Sequence, residues 1–151
     1  MYKKILVPLD GSKKAEAILP HVEELAHCVG AEVIFLQVIE PFHMYVDSYV
    51  YISDVNVEAN LRETLRDDAQ SYLDGLRGEF LEKGIPSKSL VEEGPVVGTI
   101  IGVAEREGAE LVAMASHGRT GLSRVFYGSV AAGVLHQVDR PLLLIRADGN
   151  R

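Results

Sequence analysis

Four short apolar runs constrain this chain more than any other feature: KILVPL (4–9), EVIFLQVI (32–39), LVAMA (111–115) and PLLLIR (141–146). Each has the length of a strand, and each is mostly continuous rather than alternating. That is the pattern of strands covered on both faces, as in a parallel sheet sandwiched between helices. A fifth stretch, SKSLVE (87–92), is more polar and suits an edge strand.

Helical spacing fills the intervals. Ala15, Ile18, Leu19, Val22, Leu25, Ala26 and Val29 recur at i, i+3, i+4 and i+7, with Ser12 available as a cap. Pro20 lacks a backbone donor, so this helix is expected to kink or start late. Val57 to Phe80 carry a second stripe, residues 96–107 a third, and a fourth helix is expected from near Gly128 to about Gln137. Gly30, Gly84 and Gly108 each stand where a helix gives way to a strand, the position that favours a left-handed residue. The order β-α-β-α-β-α-β-α-β with short connections predicts one α/β domain over 1–151, a doubly wound parallel sheet with helices on both faces. Gly98 and Gly102, four apart, suggest a helix packed closely on that sheet, and Cys28 reads as a small hydrophobe beside an apolar helix face.

The net charge of −7 disfavours non-specific binding to nucleic acid or an anionic membrane, both of which need a basic surface. No apolar stretch approaches the ~18 residues of a membrane span. The short run after MYKK does not make a secretory leader. One cysteine excludes an internal disulfide, so a cytoplasmic chain is expected. The five histidines show no metal-binding spacing such as HExxH.

In an open α/β sheet, ligands bind beyond the carboxyl ends of the strands, where the strand order reverses. The loop ASHGRTGLSRVFYGS (115–129) is the strongest candidate there. It has three glycines and two arginines, and no acid occurs from Leu111 to Val138, a local cationic window in an acidic chain. Gly128-Ser129 is placed to open a helix whose free N–H groups favour an anion; the alternative is a solvated connection that merely turns. Neither GxxxxGK[ST] nor GxGxxG is present, which disfavours a P-loop or dinucleotide site. Asp10, at the end of the first run, can meet ribose hydroxyls or a metal-bound water, or can simply close a turn through DGS. Ser12 is a cap first and a ligand second. The segment EPFHMYVDSYVYISDVN (40–56), long and aromatic for a connection, suits a lid or contact surface, or a loop folded over the sheet edge.

KKILVPLDGS, ASHGRTGLSRVFYGSVA and DRPLLLIR together resemble the universal stress protein family over essentially the whole chain. The resemblance implies strand order 3-2-1-4-5 and, in one branch of the family, ATP binding through glycine, two residues, glycine, nine residues, glycine and Ser or Thr. Here the second and third glycines are Gly118 and Gly128, followed by Ser129, while Ala115 stands at the first. That methyl group is harmless where φ is negative and costs on the order of 1 kcal/mol where it is positive. Carried over, the family's site places Pro8, Leu9 and Asp10 against adenosine and Val38 backbone groups at adenine. Met114, Ala115, His117, Gly118 and Arg119 then surround ribose and phosphates, with Gly128, Ser129 and Val130 on the phosphate tail. The resemblance thus implies an ATP-binding stress or signalling module, with Mg²⁺ accompanying the nucleotide, and a homodimer paired through Pro141 to Arg146. Two alternatives stand beside it: a dimeric stress-response protein without nucleotide, and a slow ATPase or autophosphorylating protein, for which no general base beside a positioned nucleophile is evident.

Overall fold

A computed structural model describes residues 1–41, 55–117 and 128–147. Its strands are β1 (Lys4–Leu9), β2 (Glu32–Ile39), β3 (Ser87–Glu93), β4 (Leu111–His117) and β5 (Leu142–Ala147). The helices are α1 (Leu19–Val29), α2 (Val55–Glu82), α3 (Val96–Glu107) and α4 (Ser129–Gln137), and a 3-10 turn over Ala15–Ile18 precedes α1. The strands form one sheet in the order β3-β2-β1-β4-β5, every neighbouring pair parallel. This is the expected doubly wound α/β architecture.

Successive side chains of a strand point to opposite faces, and each face here has its own core. Ile5, Val7, Leu9, Val33 and Phe35 pack with Ile18, Val22, Leu73 and Phe80 beneath α1 and α2. Leu6, Ile34, Leu36, Val112 and Met114 pack with Ile100, Val103, Ala131 and Val134 beneath α3 and α4. The edges of Phe35 and Phe80 meet at right angles, ring centroids 4.9 Å apart, a favoured aromatic geometry.

Pro20 sits in the first turn of α1, where its missing N–H is one of the donors that a helix start leaves over anyway, and the helix does start late. Gly30, Gly84 and Gly108 all have positive φ, as expected of residues that follow a helix. Gly98 and Gly102 correct a different expectation. A Cβ at Gly102 would meet nothing within 4 Å, and at Gly98 only Pro95 at 3.8 Å. The close approach is at Gly133 of α4, where an added Cβ would stand 2.7 Å from Cγ2 of Val97 on α3. Cys28 is exposed rather than packed, because α1 buries Val22 and Ala26 and position 28 lies about 200° round the helix from 26.

The amino ends of the strands are tied by cations gathered at the carboxyl end of α3, where unpaired carbonyls and the helix dipole favour positive charge. Arg140 donates from one guanidinium nitrogen to the carbonyls of Ala104 (2.9 Å) and Ala109 (2.7 Å), and Lys4 Nζ donates to Glu107 O (3.1 Å). Lys88 of β3 pairs with the Glu107 carboxylate, and this hydrogen bond holds its pKa below the usual carboxylate range.

Candidate functional site

The β1–β2 ladder continues to Leu9–Gln37 and the β4–β5 ladder to His117–Ala147, but the β1–β4 ladder joins only Ile5–Leu111 and Leu6–Val112. Pro8, two residues further along β1, has no N–H to contribute to a ladder, which accounts locally for the release. β1 is also the strand at which the order reverses. A crevice therefore opens at the carboxyl ends of β1 and β4, the place where an α/β sheet receives ligands.

That crevice holds a cavity of about 400 Å³, within the range of small-molecule sites. Pro8, Leu9 and Asp10 line it from β1, Val38 from β2, Met114 and Ala115 from β4, and Gly128, Ser129 and Val130 from the start of α4. All nine were singled out in the sequence. Ser12 is not among the lining residues. Its N–H donates to Asp10 Oδ1 (2.9 Å) and its Oγ accepts from the Ala15 N–H (3.2 Å), so it closes the turn that leads into the 3-10 segment. The His117 backbone ends β4, while its side chain, Gly118, Arg119 and Arg124 lie outside the described residues, as do positions 42–54 of the aromatic segment.

Six further described residues line it: Ala15, Leu36, Glu40, Val96, Ile100 and Ala131. Val96 and Ile100 are one turn apart on α3, and sequence reading assigned them simply to its apolar stripe. Glu40 continues the alternation of Leu36 and Val38 one step past β2, a signal that was present and not used.

Ala115 belongs to a regular strand, paired with Ile145, and packs with the core beneath α1, whereas Met114 beside it joins the core beneath α3 and α4. Its methyl group is thus directed to the α1 layer, away from the wall that Val38, Met114 and Ile100 build. Gly128 has φ 64° and ψ 156°, a conformation essentially restricted to glycine. It leads into α4, whose first residues Ser129, Val130 and Ala131 line the cavity.

The turn after β1 is held from the α2 side. The Tyr72 phenol donates to Glu16 Oε1 (3.0 Å), and Lys13 pairs with the same carboxylate group (3.1 Å). Burial chiefly, then the hydrogen bond and charge of Glu16 and the charge of Asp10, push the Tyr72 pKa well above its ordinary value.

Chemically the cavity is an apolar slot with three polar side chains on its described wall: Asp10, Glu40 and Ser129. It fits a flat heterocycle along the Val38–Met114–Ile100 side and an anion at the α4 N-terminus. Among the described residues no cluster of three or more His, Cys, Asp or Glu could hold a metal, and no helix is long and apolar enough to cross a membrane.

The sequence profile of the Universal stress protein family matches residues 1–146. Universal stress protein MJ0577 of Methanocaldococcus jannaschii is 30% identical, with 97% of this chain and 96% of its own covered. The solved structure of hypothetical protein MJ0577 superposes with a TM-score of 0.83 at 31% identity, covering 99% of both chains. A universal stress protein solved in complex with cAMP (TM-score 0.62, 19% identity, 97% and 98% covered) and an Arabidopsis thaliana family member with AMP bound (0.67, 15%, 97% and 93%) share the fold.

Proposed function

The chain belongs to the universal stress protein family, and from that premise we propose that it binds ATP, with Mg²⁺, in the cavity at the ends of β1 and β4. It acts there as a nucleotide-responsive stress or signalling module: a single cytoplasmic domain that pairs with a second copy through β5. The observation that carries this reading is the 400 Å³ crevice at the strand-order reversal, apolar along one wall and faced by a glycine-turned helix N-terminus on another. AMP and cAMP in two proteins of the same fold lend support.

In this reading the purine lies between Val38, Met114 and Ile100, and Asp10 faces the ribose. The phosphates meet the α4 N-terminus and Ser129, and the family resemblance adds His117, Gly118 and Arg119 to the ribose and phosphate contacts. Asp10 would hold Mg²⁺ through a bound water beside the phosphate oxygens, and the ion would supply positive charge against the phosphates there. β5 is an edge strand whose Leu142 to Ile145 are only half-buried, which suits strand pairing between copies.

Calorimetric titration of nucleotide-stripped protein with ATP and Mg²⁺ tests the reading. Saturable heat at micromolar to millimolar ATP is expected. No heat at millimolar ATP overturns it and leaves a stress protein that works without nucleotide.

A further inference from the structure

We infer that Glu40 selects the base: its carboxylate accepts a hydrogen bond from the 6-amino group of the purine, so adenine nucleotides are taken in preference to 6-oxo purine nucleotides. This rests on the nucleotide reading of the cavity and adds to it a residue that chooses among nucleotides.

The placement of polar groups carries the inference. Glu40 lies beyond the end of β2, and the chain there is held in place because the Gly94 N–H donates to Ile39 O (3.1 Å), tying the ends of β2 and β3 together. Leu36, Val38 and Glu40 line the cavity in alternation, and Val96 and Ile100 face them from α3. On this side of the described wall Glu40 is the polar side chain in an otherwise apolar surface. Ser129 and the α4 N-terminus lie at the other side, and Asp10 sits at the end of β1 between them. A phosphate chain is drawn to the helix N-terminus and repelled by a carboxylate. Electrostatics therefore sets the ligand's direction, phosphates toward Ser129 and base toward Glu40.

A carboxylate accepts hydrogen bonds and, unless protonated, donates none. Adenine offers it an N–H from the 6-amino group, whereas hypoxanthine and guanine carry a carbonyl oxygen at that position, and two acceptors would face each other. Among the described residues the neighbouring arginines, Arg62 and Arg66, pair with Glu58 and Glu93 rather than with Glu40. A site that must hydrogen-bond one group discriminates strongly against an analogue that lacks it. Because Glu40 is exposed rather than enclosed, the expected preference is modest, roughly tenfold.

Wild type, Glu40→Gln and Glu40→Ala are titrated with the Mg²⁺ complexes of ATP, ITP and GTP, and circular dichroism checks that all three proteins melt alike. Wild type is expected to bind ATP roughly tenfold tighter than ITP. The amide of the Gln variant can present an N–H to a 6-oxo group and is expected to narrow or invert the ratio, and Ala to bring it to within about twofold. Wild type holding ITP or GTP as tightly as ATP overturns the inference, as does an ATP/ITP ratio unchanged in both variants; either leaves the nucleotide site standing. If wild type binds none of the three, the nucleotide reading and this inference fall together.

Discussion

Gly133 of α4 and Val97 of α3 are in such close contact that a methyl group on the glycine would stand 2.7 Å from Val97 Cγ2 and 3.3 Å from Cγ1. These two helices also wall the cavity, through Val96 and Ile100 on one and Ser129, Val130 and Ala131 on the other. A tight contact between the two helices thus lies on the same pair of elements that walls the site.

Gly133→Ala separates two opposing effects. Alanine gains up to about 1 kcal/mol of helix propensity over glycine, while overpacking against a stiff β-branched side chain costs about 1–3 kcal/mol. The clash is expected to win, giving a net loss of about 1 kcal/mol in urea unfolding, and ATP affinity should fall as α4 is pushed outward. Val97→Ala in the same background should restore the affinity.

Gly128→Ala tests the helix N-terminus. At φ 64° and ψ 156° a Cβ brings strain of order 1–3 kcal/mol, so the turn either distorts or shifts. ATP affinity should drop tenfold or more by calorimetry, with AMP, which places fewer phosphates there, affected less.

Ala115→Gly asks whether the missing glycine of the family pattern weakens binding. With the methyl group directed at the α1 layer, removing it should leave ATP affinity within about threefold and reduce stability by about 0.5–1 kcal/mol, the usual cost of glycine inside a strand. A tenfold gain in affinity would show the methyl group to be an obstacle.

Arg140→Ala probes the opposite end of the sheet. The guanidinium is mostly buried, with 17% of the side chain exposed, and two carbonyls depend on it. Hydrogen bonds from charged groups contribute about 1.5–3 kcal/mol, so Tm should fall by roughly 5–10 °C. ATP affinity, measured below the transition, should not change.

Tyr72 predicts a pH dependence with a definite sign. Its folded-state pKa is raised, so the neutral phenol is favoured by folding. The associated stability is fully present below the unfolded value of about 10 and is lost as pH rises above it. Urea unfolding between pH 9 and 11 should show a steeper loss for wild type than for Tyr72→Phe. At pH 7 the variant should be less stable by about 1 kcal/mol, for the lost bond to Glu16.

The fold was legible because its signals are local. Continuous runs such as EVIFLQVI announce strands covered twice, Pro20 displaces the start of α1, and Gly30, Gly84 and Gly108 mark helix ends. Of the site, Asp10 at a strand end and the Gly128-Ser129 helix start were legible locally, whereas Pro8, Leu9, Val38, Met114 and Val130 came from the family resemblance. What escaped depends on how elements lie across one another. Gly98 and Gly102 suggested a helix packed closely on the sheet, whereas the crowded glycine is Gly133, where α4 meets α3, and the distance between those helices follows from where their axes meet over the sheet. Glu40, Val96 and Ile100 become cavity residues only once β2 and α3 are brought together, and no spacing within either segment shows it.

The central place of β1 also bears on how the chain matures during synthesis. Its partner β2 on one flank, and β3 beyond it, follow early, whereas Ile5 and Leu6 meet Leu111 and Val112 only when β4 has been made. At about 5–20 residues per second, the half-sheet β3-β2-β1 spends several seconds on the ribosome with the inner edge of β1 uncovered. The uncovered edge of a nascent β1 is then open to pairing with another strand until β4 arrives.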